Sequence, residues 1–359
     1  MKPHNRLLAT TTTLATGLAV TIGLAGCAGA SGAGSAAPVP STVNAAALSA
    51  VTLRVADQKG SSAQILLKAA GLDNTPYRIQ WSTYTSGPPE LQAAAADAVD
   101  VGLVGNTPPI FSAAGNAPLD IVGALKNTVG DAVVLPGGST ITSLADLRGK
   151  KIAVAKGSSA NGTLLKTLSK AGLKPTDVSI DYLQPGDAYS AFSTHRVDAW
   201  VVWEPYVTEA LRQPGARALL SENDTFAGSG LAGGAALSNG LSFEVAARNA
   251  LTDPGKNTAL SDYVTRIAKA EVWAGQHPDA WAAIWSQQSG LPLDVAKAAV
   301  HGVLLTPEPL DDSVVSSEQS LADAFTSAQL IPGKVAIAGF VDRRFNSAVQ
   351  SYRTQAGIK

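Results

Sequence analysis

Short apolar runs alternate with amphipathic segments along most of this chain. The runs Val99–Val104, Lys151–Ala155 and Asp198–Val202 are each followed by a stretch whose apolar residues have helical spacing. Strands of about five residues that alternate with helices are typical of α/β domains with parallel sheets. The pattern therefore predicts an α/β fold that begins near Val51, and after Ser261 it becomes helical.

A short repeated sequence pattern indicates two similar lobes. Val99-Asp100-Val101-Gly102 and Val197-Asp198-Ala199-Trp200 each close a helix–strand unit and lead into a helix start that contains proline. The part of the chain beyond Val51 is long enough to build two lobes with separate cores.

The first residues follow a different pattern. Lys2 and Arg6 precede an apolar stretch from Leu7 to Leu24, and Leu24-Ala25-Gly26-Cys27 comes next. A basic start, an apolar run and small residues are typical of a secretory signal, which we assign to residues 1–26. Cys27 after small residues resembles the lipobox of bacterial lipoproteins, which implies lipid on this cysteine. Acyl chains there would hold the protein on the outer face of the cell membrane without spanning it.

Composition limits what the rest of the chain can be. Residues 27–50 are mostly Ala, Gly, Ser and Pro, which predicts a flexible tether. The chain has one cysteine, so no disulfide can form within it. The formal net charge is −1 and no basic stripe stands out, which disfavours nucleic acid as a partner. We expect a monomer without a cofactor or a metal.

Three segments carry chemistry suited to an anion. Gln58–Ser61, Gly105–Thr107 and Gly157–Ser159 each lie between a strand and a helix and combine glycine with hydroxyl or amide side chains. Ligands of open α/β sheets bind beyond the carboxyl ends of strands. A helix N-terminus there offers unpaired N–H groups and a partial positive charge. The segments predict an oxyanion site, although ordinary helix capping accounts for each one taken singly.

An ordered set of motifs carries a resemblance to a known family. The motifs are Gln58-Lys59-Gly60, Gly105-Asn106-Thr107-Pro108-Pro109, residues 143–151, Lys156-Gly157-Ser158-Ser159, Trp203-Glu204-Pro205-Tyr206 and Pro309-Leu310-Asp311-Asp312. The chain beyond Val51 resembles the aliphatic sulfonate-binding proteins of ABC importers, within the wider nitrate, sulfonate and taurine-binding group. The resemblance implies a type II-like periplasmic-binding-protein fold, with two α/β lobes, a ligand cleft between them and two crossover segments. Residues 51–135 and 241–359 would form the first lobe and residues 136–240 the second.

The resemblance also implies which residues face the cleft. Those of the first lobe are Gln58, Ser86, Gly87, Gly105, Asn106 and Thr107. Those of the second are Ser158, Ser159, Trp203 and Glu204. Backbone and hydroxyl groups of the helix starts would donate to a sulfonate, and Trp203 would cover the organic part with Glu204 beside it. The protein would then deliver its ligand to a permease and its ATPase.

The chain departs from the family pattern at three places. The family often has Asp where Asn106 and Glu204 stand. The loss of an acid at Asn106 weakens the case for taurine, whose ammonium needs a partner, although Glu204 could still serve as that partner. Residues 226–239 are longer and richer in glycine than expected, and Asn239 is a further candidate for the cleft.

Other functions stay open at this level. A desulfinase-like enzyme would use a cysteine nucleophile, but Cys27 lies in the lipobox. His195, His277 and His301 lie outside the glycine-rich loops. The ligand could instead be nitrate, taurine or a pyrimidine precursor of thiamine. A sensory or structural lipoprotein could also reuse the fold.

Overall fold

A computed structural model describes residues 38–58, 62–127, 131–221, 239–300 and 305–358. Cys27, the signal peptide and the first part of the predicted tether lie outside the described residues, as do residues 59–61 and 226–238. The strands are β1 Thr52–Gln58, β2 Arg78–Tyr84, β3 Val101–Gly105, β4 Leu119–Asn127, β5 Asp131–Leu135, β6 Lys151–Val154, β7 Ser179–Tyr182, β8 Ala199–Trp203, β9 Arg217–Ser221, β10 Leu241–Ala247 and β11 Leu305–Glu308.

The helices occupy both the alternating region and the C-terminal part. They are α1 Ala45–Ser49, α2 Ala63–Ala69, α3 Gly87–Ala95, α4 Thr107–Ala114, α5 Ser159–Lys170, α6 Pro185–Ser193, α7 Tyr206–Leu211, α8 Arg248–Thr252, α9 Pro254–Gln276, α10 Pro278–Ser289, α11 Leu293–Val300, α12 Asp312–Ser327 and α13 Asn346–Gln355. Short 3-10 turns span Leu144–Leu147, Pro175–Asp177 and Ile337–Phe340.

Two mixed sheets organise the chain. The first has the strand order β11-β4-β10-β3-β1-β2 and the second the order β7-β6-β8-β5-β9. The prediction of parallel strands is correct for β1 with β2 and β3, and for β6 with β7 and β8. It is wrong for β10 and β5, which run antiparallel to their neighbours. Both are the first strands after the chain passes from one sheet to the other, so no helical crossover fixes them as parallel.

The two sheets share one plan. Each has a parallel trio, β2-β1-β3 or β7-β6-β8, followed by the strand that arrives from the other sheet. The repeated sequence pattern that ends at Gly102 and Trp200 leads into β3 and β8, which hold matching third positions. The expectation of two similar α/β lobes is therefore confirmed.

Two expected boundaries do not match the structure. Strand β5, which was placed in the first lobe, pairs with β8 and β9 of the second sheet. We therefore propose that the chain changes lobe between β4 and β5 and returns between β9 and β10. The predicted tether also contains helix α1, and the Val43 amide donates to Thr258 Oγ1 of α9 at 3.2 Å. Leu48 of α1 packs against the core of the first lobe, so the end of the predicted tether is folded.

Apolar cores cover both faces of the sheets. Every residue of β5 and β10 is buried, as expected for central strands between two helical layers. Trp281 and Trp285 of α10 are buried and stack on each other at 5.6 Å in the first core. A separate cluster of α4, α5 and α12 residues, among them Ile110, Leu165 and Leu321, joins the two lobes.

Among the described residues, no helix combines the length and apolar character needed to cross a bilayer.

Buried carboxyl groups stand out in the core of the first lobe. Both carboxylate oxygens of Glu244 on β10 are buried, and neither has a hydrogen-bond partner among the described residues. Burial raises the pKa of Glu244 to about 8 and also raises the pKa values of Glu90 and Glu271 well above their ordinary range. These acids are neutral in the folded protein and ionised in the unfolded chain at neutral pH. The contribution of these acids to stability is therefore complete below their unfolded pKa of about 4.5 and falls as the pH rises towards 8.

We expect Glu244→Gln to flatten part of this pH dependence. Since one pKa unit corresponds to about 1.4 kcal/mol, the variant should gain a few kcal/mol in the free energy of unfolding at pH 8 and little at pH 5. Denaturant unfolding of both proteins at several pH values measures the effect. A stability that rises between pH 5 and pH 8 in the wild type would contradict this assignment.

Candidate functional site

The starts of α3, α4 and α5 meet where the two lobes face each other. A Cβ placed on Gly87 would lie 2.8 Å from Pro108 Cγ, and one placed on Gly105 would lie 2.8 Å from Ser159 Cβ. Real side chains do not approach this closely, so both glycines are needed for the contact. The contact from Gly105 to Ser159 joins the first lobe to the second.

Two further glycines tighten the same junction. A Cβ on Gly162 in α5 would lie 2.5 Å from Thr107 Oγ1, and one on Gly157 would lie 3.6 Å from Pro88 Cγ. Gly157 also has a φ of 72°, which side chains other than glycine rarely adopt. The glycine-rich segments predicted from the sequence at residues 105 and 157 therefore face each other.

Prolines reduce the number of backbone N–H groups at these helix starts. Gly87 in α3 and Thr107 in α4 are each followed by two prolines, which have no N–H group. Ser159 and Ala160 begin α5 without an intervening proline. Since first-turn N–H groups have no acceptor within their own helix, the amides of these four residues are the candidate donors for an anion.

The hydroxyl groups of the first lobe are bound within the protein. Ser86 Oγ donates to Gln184 Oε1 at 2.9 Å, across the two lobes, and Thr107 Oγ1 donates to Asn106 Oδ1 at 2.9 Å. Both serine and threonine are buried. These hydroxyls hold the helix starts in place, which differs from the expected role of ligand donors.

The same holds in the second lobe. Ser158 Oγ donates to the Ala155 carbonyl at 2.7 Å, and Ser159 Oγ donates to Asp131 Oδ1 at 3.1 Å. Asp131 is buried and its Oδ2 also accepts from Thr163 Oγ1 at 2.8 Å. Sequence reasoning missed Asp131, which lies at the start of β5 and fixes the first turns of α5.

A chain of amides extends from the start of α4 to helix α12. Asn106 Nδ2 donates to Asn239 Oδ1 at 2.8 Å, and Asn239 Nδ2 donates to Glu318 Oε2 at 2.7 Å. Asn239 was a candidate from the sequence, and the structure brings it to Asn106. Glu318 was not predicted, because it stands between Ser317 and Gln319, and an acid in such a polar run is typical of the solvated face of a helix. Burial raises the pKa of Glu318 to about 8.

Gln58 lies at the end of β1, where the preceding Asp57 caps the start of α2. Asp57 accepts from the amides of Ala63 and Gln64 at 3.0 and 3.2 Å. The Gln58 side chain donates to the Leu103 carbonyl at 2.9 Å and is half-exposed. Gln58 therefore borders the cleft but is tied to β3 of its own sheet.

Trp203 and Glu204 end β8 on the other side of the cleft. Trp203 is opposite Asp131 in the strand register and packs edge-on against the Tyr206 ring at 6.0 Å. Its half-buried indole therefore lies beside the residues that fix α5. Glu204 Oε2 accepts from the Thr208 amide at 3.1 Å, and burial raises its pKa. The carboxylate thus caps α7, a task that competes with binding a cationic ligand group.

A cavity of about 550 Å³ opens between the lobes next to Gln58 and Tyr206. The other lining residues are polar for the most part, and they are Asp57, Ser62, Gln64, Ile65, Lys68, Thr83, Pro185, Gly186, Tyr189, Pro205, Glu209, Gln288, Ser289 and Leu291. This volume is within the range of about 300–1,000 Å³ that is usual for small-molecule sites.

Few cations accompany these donors. Lys156 is exposed, and its ammonium lies 5.6 Å from the centre of the Tyr182 ring. In the described part of the chain no cluster of three or more His, Cys, Asp or Glu side chains is arranged to hold a metal. The candidate donors at the helix starts are therefore neutral N–H dipoles, and Lys68 is the cation in the lining of the described cavity.

Comparison with known proteins adds independent findings. A family model described as NMT1/THI5 like matches residues 79–225. A protein of Escherichia coli strain K12 described as an aliphatic sulfonates-binding protein is 33% identical over 298 residues, which cover 82% of this chain and 89% of that protein.

Solved structures are also similar to this chain. The alkanesulfonate-binding protein SsuA from Xanthomonas axonopodis pv. citri, bound to MOPS, has a TM-score of 0.71 and 30% identity and covers 81% of this chain and 98% of its own. The desulfurization enzyme DSZB has a TM-score of 0.57 and 17% identity and covers 84% and 99%. The second similarity concerns the fold alone.

We expect Gly105→Ala to separate the helix starts. A methyl group there collides with Ser159, so the variant should lose about 1–3 kcal/mol of stability and much of its ligand affinity. Gly275→Ala is the matched control, because no atom lies within 4 Å of a Cβ at this exposed helical position. The control should be neutral or stabilised by up to about 1 kcal/mol. Calorimetric titration and thermal unfolding measure both, and equal behaviour of the two variants would show that the contact is not tight.

Proposed function

The chain belongs to the family of aliphatic sulfonate-binding proteins, and we propose that it captures an organosulfonate in the cleft between its lobes. On the outer side of the cell membrane, the protein then delivers the bound ligand to the permease of an ABC importer, which works with its ATPase. The periplasmic relatives support an extracytoplasmic location, and the lipobox-like Cys27 supports a lipid anchor. Binding is reversible and no bond of the ligand is broken.

The observation that carries this proposal is the meeting of helix N-termini from two lobes. Burial of a sulfonate without partners would cost several kcal/mol or more. Amides of Gly87, Thr107, Ser159 and Ala160 would offset that cost, since hydrogen bonds to a charged group contribute roughly 1.5–3 kcal/mol each. Because these donors come from both lobes, the ligand binds the closed form best and draws the lobes together.

Trp203 and the neighbouring cavity suit an organic tail. The half-buried indole offers an apolar face, and each Å² of tail that it covers contributes roughly 25 cal/mol. Beyond it, the cavity beside Tyr206 has room for a tail of several atoms. A nitrate ion would leave both features unused, so they favour a sulfonate with a carbon chain.

Taurine is the second candidate, because a taurine-binding periplasmic protein of Escherichia coli is 32% identical over 153 residues. Its ammonium group would need a carboxylate in the cleft. Asn106 supplies none, and Glu204 caps Thr208. A simple alkanesulfonate therefore fits these residues better than taurine or a thiamine pyrimidine precursor.

Binding fits the chain better than catalysis does. The relative with 33% identity over most of the chain is a binding protein, whereas the similarity to a desulfurization enzyme is limited to the fold. The single cysteine is Cys27, at the lipobox-like segment that precedes the described residues. Incubation of pure protein with a sulfonate, followed by product analysis, should return the ligand unchanged.

We expect a thermal-shift panel to identify the ligand class. Methanesulfonate, 1-butanesulfonate, taurine, nitrate, sulfate and a pyrimidine are compared at equal concentration. A ligand present at one hundred times its Kd adds about 2.7 kcal/mol of stability, which raises Tm by several degrees. Shifts confined to nitrate or to the pyrimidine would refute the sulfonate assignment.

We expect Trp203→Ala to weaken 1-butanesulfonate more than methanesulfonate, because the longer tail loses more buried surface. Trp273→Ala is the matched control, since Trp273 is a half-buried indole that stacks on His277 in the first lobe. Calorimetric titration gives the ratio of the two affinities for each variant. Equal losses for both ligands at Trp203 would show that the tail lies elsewhere.

We expect Glu204→Ala to cost about 1 kcal/mol of stability through the lost cap on α7. The ratio of affinities for taurine and ethanesulfonate should stay unchanged, because the carboxylate is assigned to the Thr208 amide. Titration of both ligands into the wild type and the variant measures this ratio. A selective loss of taurine binding would instead assign Glu204 to the ligand ammonium.

A further inference from the structure

Glu318 is a buried acid outside the expected set of site residues. It lies on α12, which packs against α4 of the first lobe and α5 of the second through an apolar cluster. Its side chain is 1% exposed, and Oε1 has no hydrogen-bond partner among the described residues. Oε2 accepts from Asn239, which lies two residues before the start of β10, where the chain returns to the first lobe. The acid therefore contacts the segment by which the chain returns from the second lobe to the first.

The direction of this hydrogen-bond chain is fixed by a backbone group. The Leu241 N–H can act only as a donor, and it donates to Asn239 Oδ1 at 3.2 Å. Asn239 Nδ2 must then face Glu318, which accepts, while Asn239 Oδ1 also accepts from Asn106 Nδ2. Asn106 Oδ1 in turn accepts from the Thr107 hydroxyl. Three hydrogen bonds thus connect Glu318 with the first residue of α4.

We propose that Glu318 is a positioning residue for the anion site, which orients Asn106 through Asn239 and weakens anion binding when it ionises. This inference rests on the proposed function, since it concerns the same oxyanion pocket. The protonated acid still offers Oε2 to Asn239, so the chain of amides is intact without a net charge. The ionised acid adds a negative charge near the bound anion.

The surroundings of Glu318 decide where it ionises. Lys166, half-buried on α5, is the cation that faces it and favours the charged form. Helix α4 and the 3-10 turn Ile337–Phe340 carry no charged side chain. Asp312 and Asp323 lie on the same helix as Glu318, and Asp131 faces the start of α5. Desolvation outweighs Lys166 and raises the pKa of Glu318 to about 8, so the acid is neutral at pH 7.

The charge of a sulfonate is constant in this range, so any change of affinity near pH 8 reports a group of the protein. In general, two unit charges separated by about 10 Å at an effective dielectric constant of about 20 interact with an energy that corresponds to a roughly tenfold change in Kd. We expect the affinity for 1-butanesulfonate to be steady from pH 6.5 to 7.5 and to fall roughly tenfold by pH 9.5.

Calorimetric titration of 1-butanesulfonate between pH 6.5 and 9.5 tests this in the wild-type full chain and in three variants. Glu318→Gln keeps an acceptor for Asn239 but cannot ionise, so the fall in affinity should disappear. Glu244→Gln is the matched control, because Glu244 is a buried acid with a pKa of about 8 whose carboxylate oxygens form no hydrogen bond in the described part of the chain. This control should keep the fall. Glu318→Ala removes the acceptor and should weaken binding at pH 6.5 more than Glu318→Gln does, by roughly tenfold.

The outcomes separate this inference from the proposed function. The role of Glu318 is overturned if the wild type binds with the same affinity at pH 6.5 and pH 9.5. It is also overturned if the affinity of Glu318→Gln still falls with rising pH. Either result leaves the proposed function standing. The absence of binding by any sulfonate at any pH overturns both. If the Glu318 variants do not fold, the pH dependence of the affinity is compared between the wild type and Glu244→Gln. An affinity that does not change with pH in either protein overturns the inference.

Discussion

Close contact between helix N-termini is possible in this protein because glycine stands where the two lobes touch. Gly105 leaves room for Ser159, and Gly162 leaves room for Thr107, at distances that no side chain would tolerate. The amides at these helix starts therefore lie in one junction between two separate sheets. Recognition of an anion by backbone dipoles depends on this junction, since they act at short range and are fixed in direction.

The side chains around the junction support the backbone. The hydroxyls of Ser86, Thr107 and Ser158 donate to acceptors within the protein, and Ser159 does the same to Asp131. This arrangement leaves backbone N–H groups as the donors of the proposed site and fixes each helix start through bonds within the protein. Burial keeps the nearby Glu318 uncharged at neutral pH, which reduces repulsion of an anion. The site thus combines fixed dipoles with a low negative charge.

Much of this architecture could be predicted from local sequence. Glycine, proline and hydroxyl residues after short apolar runs identified the starts of α4 and α5, since capping chemistry depends on neighbours in the chain. The antiparallel direction of β5 could not be predicted, because apolar runs do not encode strand direction. Helix α1 and strands β9, β10 and β11 were not predicted from the sequence.

The partners of the site residues could not be predicted for a related reason. Ser86 meets Gln184 and Asn239 meets Glu318, pairs that lie 98 and 79 residues apart in the chain. Spacing patterns report contacts within one element, whereas these bonds follow from how two lobes and α12 pack. The expected role of Glu204 as a ligand partner also overlooked its local use as the cap of Thr208.

A crystal structure of the protein with 1-butanesulfonate tests the central claim most directly. The account predicts a closed cleft in which the sulfonate oxygens accept hydrogen bonds from the amides of Gly87, Thr107 and Ser159, with the butyl chain against Trp203. A sulfonate held by lysine side chains, with those amides out of reach, would contradict it.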